Sequence, residues 1–256
     1  MKKTISFYKL LFILFIFKTS SAQVQAYYDE NLIKIDSLQY ANKCYYQINT
    51  CYKFVNSDTI VNVIYHKYNF GKLSKEQLIK VKKELKTTIR TNLIIVYKDT
   101  IQVRQSIDPY KKYLFQNKKY LSKPMSKARF KRWNKKSSKS YKKCIKKLKD
   151  KEYVDNIRFF YNINKRETIL KWEKDPNRIL KKIFFSKNKN YRFVVIHANG
   201  EFFQVNRGLE NKKMEKILKA KDWTKFKMEL EKAKKNVIIN RTNFFKKNWK
   251  NKEICF

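Results

Sequence analysis

One stretch, RFVVIHANGEFFQVNRG at residues 192–208, constrains the fold of this chain more than any other. Two runs rich in β-branched and aromatic residues flank the pair Asn199-Gly200. Asparagine and glycine tolerate positive φ best, so this pair is favoured in the two-residue type I′ turn of a β-hairpin. The stretch therefore predicts a hairpin with one apolar face on a core and a second strand that ends at Gly208.

A strand, a helix and another strand are predicted earlier in the chain. TIVNVIY, residues 59–65, is β-branched and predicts a strand, and NLIIVY, residues 92–97, predicts a strand that is buried on both faces. Between them, Ser74 and Gln77 form a capping box that starts a helix running to about Ile89. Because the connections are short, the three elements are expected to form a βαβ unit with parallel strands.

Helical spacing is found in three more segments. Apolar residues between Asp29 and Tyr52 recur near one face and predict a helix. After the hairpin, one helix is expected to bury Met214 and Leu218, and a second helix is expected to start at Asp222.

The order of these elements resembles the thioredoxin-like fold. FVVIHANGEFFQVNRG is similar to the hairpin of thioredoxin-related proteins, which often has an apolar strand, an Asp-Gly or Asn-Gly turn, a second strand, a glycine and a helix. The resemblance implies an α/β fold with a βαβ…ββα core, into which a basic and mainly helical segment is inserted. Active members carry two cysteines at the start of the first helix and a cis-proline before the hairpin, whereas this chain has residues 69–73 and 189–191 there, with neither residue type. The resemblance therefore implies a degenerate, non-catalytic member of the fold, and leaves a redox role as an alternative without a residue to perform it.

The basic segment from Lys111 to Lys149 separates the two halves of this core. It is rich in lysine and arginine, contains no acidic residue and has aromatic residues interleaved. Near its end, Tyr141, Ile145 and Leu148 recur at helical spacing, which predicts a basic amphipathic helix. Such a helix can bind phosphates and bases or lie on an anionic membrane, and the other interpretation is a solvated helix packed onto the domain. The candidate polyanion-binding residues are Lys131, Arg132, Trp133, Lys135, Lys136, Lys142, Lys143, Lys146 and Lys147.

The first 22 residues have the pattern of a cleaved secretory signal. Lysines precede an apolar run from Leu10 to Phe17, and the small residues Ser20 and Ala22 occupy the two recognition positions. The run is too short to span a bilayer, so the mature chain is expected to be exported to the periplasm or the cell exterior, with no transmembrane segment. Loss of the four lysines of the leader lowers the net charge from +41 to +37. This charge predicts an anionic polymer or a membrane surface as partner, unless it reflects only the lysine codons of an AT-rich genome.

Composition also limits the organisation of the chain. Aromatic residues make up 16% and hydrophobic residues 43%, which is too much for a disordered polycation, so a core is expected. Three glycines are too few for glycine-rich phosphate loops. The predicted divisions are a signal at 1–22, an N-terminal helix and βαβ half at 23–105, the basic insertion at 106–156, strands, hairpin and C-terminal helices at 157–235, and a basic aromatic tail at 236–256.

Four cysteines lie in a chain that is expected to reach an oxidising compartment, where they can form up to two disulfides. The candidates are Cys44, Cys51, Cys144 and Cys255. If the segment around Cys44 and Cys51 is helical, these two lie about 10 Å apart, too far to bridge. The cysteines are not clustered as in a zinc site, and no cofactor is predicted.

The two histidines, His66 and His197, each lie near the carboxyl end of a predicted strand, an edge where open α/β sheets often bind ligands. As an acid and base pair, they would cleave phosphodiesters in a polyanion held by the lysines. The other interpretation is a strand-end side chain with a satisfied hydrogen bond. No Gly-x-Ser-x-Gly or His-Glu-x-x-His motif is present. The sequence favours a non-catalytic binding or structural module, with a secreted nuclease-like enzyme as the alternative, and leaves the oligomeric state open.

Overall fold

The computed structural model describes residues 24–46, 48–56, 59–99, 127–162, 171–185, 191–206, 209–235 and 244–245. The predicted signal at 1–22 lies outside these residues, as do Gly208 and Cys255. The chain divides into two compact units, Met1–Tyr65 and His66–Phe256, which are described one at a time.

The first unit contains a four-stranded sheet and one helix. Its elements are β1 (Val24–Tyr28), β2 (Lys34–Ile35), α1 (Ser37–Cys44), β3 (Asn49–Val55) and β4 (Thr59–His66), and the strand order is β2-β1-β4-β3. β4 runs parallel to β1 and β2 runs antiparallel to it. The prediction of a strand at 59–65 is confirmed by β4. The buried apolar residues of the first unit are Ile48, Ile60, Val63 and Ile64.

The prediction of one helix from Asp29 to Tyr52 is wrong. Asp29 accepts the backbone N–H groups of Asn31 and Ile33, which makes a turn after β1. A capping box then starts α1, with Asp36 accepting from the backbone of Gln39, so the helix begins at Ser37 and ends at Cys44. The apolar residues of this segment lie in or near β2, α1 and β3, and their combined spacing resembles that of one helix by coincidence.

The second unit is built on a six-stranded mixed sheet. Its strands are β5 (Tyr68–Lys72), β6 (Asn92–Lys98), β7 (Asn156–Tyr161), β8 (Glu173–Lys174), β9 (Phe193–His197) and β10 (Glu201–Val205), in the order β5-β10-β9-β6-β7-β8. β6, β7 and β8 are parallel, and the other neighbours are antiparallel. β6 is buried at every position except its last residue, so the prediction of a fully covered strand is confirmed.

Helices cover both faces of this sheet. They are α2 (Lys75–Glu84), α3 (Lys127–Lys149), α4 (Asn211–Lys219) and α5 (Thr224–Lys235), with a 3₁₀ turn at Pro176–Arg178 and a π-helical turn at Lys181–Phe185. Leu93 and Ile196 belong to a core cluster with residues of α2 and of 179–185, so these segments pack on one face. Their neighbours point to the other face. There Asn92 contacts Leu218 of α4, and His197 contacts Trp223, which directly precedes α5.

The prediction of a βαβ unit from strands 59–65 and 92–97 is wrong. β4 belongs to the sheet of the first unit, and the strand that precedes α2 in the second sheet is β5. Three antiparallel pairings lead from β5 to β6, so these two strands run in opposite directions. Residues 69–73, which the resemblance equates with the start of the first helix, lie largely in β5. Two parallel neighbouring strands with a helix between them in the sequence do occur, but they are β6 and β7, and the helix is α3.

The predicted hairpin is confirmed over Phe193–Val205, whereas its turn type is different and its second strand ends at Val205, before the predicted end at Gly208. β9 and β10 are antiparallel neighbours, and Phe202 stands opposite Ile196. The N–H of Gly200 donates to the carbonyl of His197 at 2.9 Å. Gly200 has a φ of +83°, while Asn199 is not among the positive-φ residues. The connection is therefore a three-residue loop with glycine at its last position, and not a type I′ turn.

The predicted helices of the second unit are confirmed with shifted ends. Ser74 and Gln77 form the expected capping box of α2, which ends at Glu84 rather than near Ile89. α4 buries Met214 and Leu218, as predicted. In the described part of the chain, no helix combines the length and the apolar composition needed to cross a membrane.

Candidate functional site: a cationic helix face

The outer face of α3 carries a row of cations. At 3.6 residues per turn, eight residues fall within an arc of about 140° over an axial length of about 22 Å. All eight are exposed. This row is called the cationic ridge and comprises Arg132, Lys135, Lys136, Lys139, Lys142, Lys143, Lys146 and Lys147. The side chains of the two other candidates, Lys131 and Trp133, lie outside the described part of the structure.

The opposite face of α3 holds the helix against the domain. Ile145 is buried, and Tyr141, Cys144 and Leu148 are half-buried. Burial raises the pKa of Tyr141 to about 12. Cys144 is disulfide-bonded, which adds a covalent constraint to the same face. Because Tyr141, Ile145 and Leu148 pack inward, the cations of this part of the helix lie on the side that faces away from the domain.

The ridge has no acidic neighbour to neutralise it within α3. The helix contains no aspartate or glutamate along its 23 residues. Among the described residues, none of the ridge cations takes part in an ion pair. Some lysines elsewhere in the unit differ, since Lys213, Lys227 and Lys234 pair with Glu210, Glu201 and Glu231. The ridge can therefore exchange its counterions for an anionic ligand without first breaking an ion pair in the described structure.

His197 ends β9 as a half-buried side chain. Its ring centroid lies 5.5 Å from that of Trp223, and its Nδ1 lies 3.4 Å from the backbone nitrogen of Asn199, which donates to it. These contacts fit a strand-end residue with a satisfied hydrogen bond.

The two histidines are not brought together. His66 ends β4 and lies two residues before Tyr68, the first residue of β5. Across the sheet, Tyr68 stands opposite Val205 of β10, and Val205 stands opposite Phe193, the first residue of β9. His197 lies at the other end of β9, four residues from Phe193, or about 13 Å along the strand. The acid and base pair, which was the alternative interpretation of the histidines, is therefore not formed by these residues.

The expectation that Cys44 and Cys51 are too far apart is wrong. The two residues form a disulfide with their Cα atoms 5.8 Å apart. α1 ends at Cys44, and the chain then reverses into β3, which carries Cys51 beside the helix end.

A polar cluster that sequence reasoning missed lies at the ends of three parallel strands. Asp99 follows β6, Asn162 follows β7 and Asp175 follows β8. Lys181 Nζ lies 2.8 Å from Asp99 Oδ1, and Asn162 Nδ2 donates to the same oxygen at 3.3 Å. Asp175 is buried and accepts the backbone N–H groups of Leu180 and Lys181. A polar residue directly after each strand was the available signal, but the pairing of the strands was needed to bring the three together.

The polar cluster and the neighbouring Tyr97 contain side chains with shifted pKa values and side-chain oxygens without a hydrogen-bond partner. Burial raises the pKa of Asp175, and the Asp99 carboxylate adds to the effect, while the backbone N–H groups oppose it. Burial and the same carboxylates also raise the pKa of the Tyr97 phenol. Among the described residues, the Tyr97 hydroxyl and Asn162 Oδ1 have no hydrogen-bond partner of good geometry. Groups of this kind are commonly satisfied by bound water, and no three metal-ligating side chains converge in the described structure.

Comparisons of the chain with protein-family models, with curated proteins and with solved structures find no match. The function of the chain must therefore be inferred from its own geometry. Its most distinctive feature is the cationic ridge.

Proposed function

We propose that this protein is an exported, non-catalytic binding module whose cationic ridge holds a polyanion. The observation that carries the proposal is that eight exposed cations share one face of a helix that packs on the domain through its opposite face between Tyr141 and Leu148. Binding would come from the release of counterions condensed on the ligand, so its affinity would fall steeply with salt.

The competing explanation is that lysine is abundant throughout the chain for compositional reasons. Composition alone would scatter acidic residues among the lysines of each lysine-rich helix; α1 has a single lysine and no acidic residue, so it does not bear on this comparison. α2 contains Glu76 and Glu84, α4 contains Glu215, and α5 contains Glu229 and Glu231. α3 is the longest of the described helices and contains none. This contrast supports a ridge that is kept free of negative charge.

The test compares two variants of equal net charge. The ridge variant replaces Lys135, Lys139, Lys142 and Lys146 with glutamine. The control variant makes the same change at four exposed lysines on other helices, Lys75, Lys80, Lys83 and Lys216, none of which forms an ion pair in the described structure. Glutamine has nearly the helix propensity of lysine, so both variants should fold, which circular dichroism checks.

Affinity for heparin and for an oligonucleotide is then measured between about 0.05 and 0.3 M salt. Each phosphate-binding lysine contributes about one unit to the slope of log K against log salt, so the ridge variant should lose about 3 units. The control should keep the wild-type slope. Equal losses in both variants would mean that the charge acts diffusely, and the ridge would not be the site.

We also propose that β6, α3, β7, β9, β10 and α4 form a thioredoxin-like core. Support comes from their order, since a strand, a helix and a parallel neighbouring strand are followed by an antiparallel hairpin and a helix. In this assignment the basic segment is the crossover within the core and not an insertion into it. The cysteine pair of active members would fall between β6 and α3, where the sequence from Asp99 to Lys127 contains no cysteine.

A non-catalytic role makes the expected result of two assays negative. The purified protein should neither reduce insulin disulfides nor cleave single-stranded or duplex nucleic acid. Insulin reduction would restore the redox alternative. Cleavage that persists when His66 and His197 are both replaced by alanine would indicate an enzyme with other catalytic residues.

A further inference from the structure

We propose that one face of the four-stranded sheet in the first unit binds a neutral saccharide chain. Four aromatic side chains lie on this face, on three neighbouring strands. They are called the aromatic face and are Tyr28 of β1, Tyr52 and Phe54 of β3, and Tyr65 of β4. The cationic ridge belongs to the second unit, so the two sites can be tested separately.

Helix α1 packs on the opposite face of this sheet. Cys51 of β3 is disulfide-bonded to Cys44, the last residue of α1, so the side chain of Cys51 points toward the helix. Successive side chains of a strand point to opposite faces of the sheet. Tyr52 and Phe54 therefore lie on the face that points away from α1.

The other two aromatic residues lie on the same face. The ring of Tyr65 contacts that of Tyr52 edge-on, with the two centroids 5.7 Å apart. On β1, the ring of Tyr27 contacts Tyr40 of α1, so the neighbouring Tyr28 points away from the helix. Among the described elements of the first unit, α1 is the only helix, so no described helix of this unit covers the aromatic face.

The aromatic face is partly open to solvent and suited to stacking. Phe54 is 49% exposed, and Tyr28, Tyr52 and Tyr65 are half-buried. The ring planes of Tyr52 and Phe54 differ by only 24°, with their centroids 6.4 Å apart. A tyrosine combines a flat apolar ring with a polar tip. A pyranose combines an apolar face of C–H groups with a rim of hydroxyls, so it can stack on such rings while its hydroxyls reach the polar tips and water.

The charge of the first unit favours a neutral ligand over an anionic one. From Val24 to Tyr65 the chain has three lysines, no arginine and four acidic residues, a net charge of −1. Residues 66–256 contain 55 basic and 17 acidic residues. Lys53, the one cation of β3, lies between Tyr52 and Phe54 and therefore points to the other face. A phosphate or uronate polymer is thus attracted to the second unit rather than to the aromatic face.

The size of the aromatic face favours a narrow ligand over a second copy of this chain. The three strands that carry it are together about 14 Å wide, and the eight residues of β4 extend for about 26 Å. The resulting area of about 370 Å² is less than half of the roughly 800 Å² that each partner buries in a stable protein interface. A saccharide chain needs only a strip of this face along the strands.

The experiment measures the dissociation constant of the full mature chain by isothermal titration calorimetry. The probes are three neutral linear hexasaccharides, built from glucose, from N-acetylglucosamine and from mannose. We expect at least one of them to bind, with a slope of log K against log salt near zero, because a neutral ligand releases no counterions.

The variants separate stacking from other effects. Phe54→Ala should weaken binding of that hexasaccharide about 3- to 10-fold, because one stacked ring is lost. Phe54→Leu keeps an apolar side chain of similar size and should weaken binding to a similar extent, which excludes a loss of folding as the cause. The control is Tyr45→Ala, since Tyr45 is 84% exposed, follows α1 and lies outside the aromatic face. This control should bind like the wild type.

Four results would overturn the proposal. They are the absence of binding to all three hexasaccharides at millimolar concentration, equal losses in Phe54→Ala and Tyr45→Ala, affinity that falls steeply with salt, and a wild-type dimer in sedimentation that Phe54→Ala dissociates. The last result would assign the aromatic face to a second copy of the chain.

The ridge variant keeps this proposal apart from the proposed function. It should bind the hexasaccharide like the wild type, and a loss of this binding would place the saccharide on the cationic ridge and contradict the site. A ridge variant that holds polyanions like the wild type would refute the proposed function alone.

Discussion

The close approach of Gly71 and Phe202 gives a prediction that tests the pairing of β5 with β10. The two residues stand directly opposite each other in the sheet. A Cβ atom built on Gly71 would lie 2.2 Å from Phe202 Cζ and 2.7 Å from Phe202 Cε1. Carbon atoms make favourable contacts at about 3.5–4.0 Å, so Gly71→Ala requires the ring to move by more than about 1 Å.

The half-buried Phe202 ring is blocked on the side that faces the core. Its centroid lies 5.3 Å from that of Phe184, a buried member of the core cluster, in a T-shaped contact. Forcing one extra carbon into such a place costs about 1–3 kcal/mol. When the ring is removed, the same Gly71→Ala change should instead stabilise the strand by about 0.5–1 kcal/mol, because alanine loses less backbone entropy than glycine.

The assay is a double-mutant cycle with urea unfolding of the wild type, Gly71→Ala, Phe202→Ala and the double variant. We expect Gly71→Ala to destabilise the wild type and to stabilise the Phe202→Ala background, which gives a coupling of about 1.5–4 kcal/mol. Equal effects of Gly71→Ala in the two backgrounds would refute the contact, and with it the register of β5 on β10.

Two further predictions concern the first unit. Replacing Cys44 and Cys51 with serine should lower the free energy of unfolding of the first unit by about 2.5 kcal/mol, because the disulfide no longer restricts the short loop in the unfolded chain. Thermal unfolding with and without reductant measures this effect, and an unchanged midpoint would contradict it. Burial alone would raise the pKa of Asp29, but the N–H groups of Ile33 and Asn31 and the Lys43 ammonium lower it below 3.8. The stability that this carboxylate contributes is therefore present above the pKa of the unfolded state and is lost as pH falls through the pKa of the folded state. Asp29→Asn keeps the oxygen that accepts both N–H groups and removes the charge, so the variant should lose less stability than the wild type between about pH 4 and 2; parallel acid titrations would contradict the assignment.

Elements with strong local signals could be predicted from the sequence. The capping box at Ser74 and Gln77, the apolar run of β6 and the hairpin around Asn199-Gly200 were identified because the deciding residues lie within a few positions of one another. The row of cations on α3 could also be predicted, because it depends only on helical spacing. In each of these cases the physics is local to one element.

Features that depend on long-range pairing could not be predicted in the same way. β4 and β5 are separated by Lys67 alone, yet they belong to different sheets. The disulfide at Cys44 was excluded because the chain reversal into β3 carries no clear local signal. The polar cluster unites Asp99, Asn162 and Asp175 only after β6, β7 and β8 have paired. Periodicity within a segment carries no information about such partners.

Lysine footprinting shows directly whether the cationic ridge is the binding site. The protein is acetylated with and without a saturating single-stranded oligonucleotide, and the modification of each lysine is measured by mass spectrometry. If the ridge is the site, we expect strong protection of its lysines Lys135, Lys139, Lys142 and Lys146, and unchanged modification of Lys75, Lys80, Lys83 and Lys216. Equal protection of the two sets, or protection of the second set alone, would contradict it.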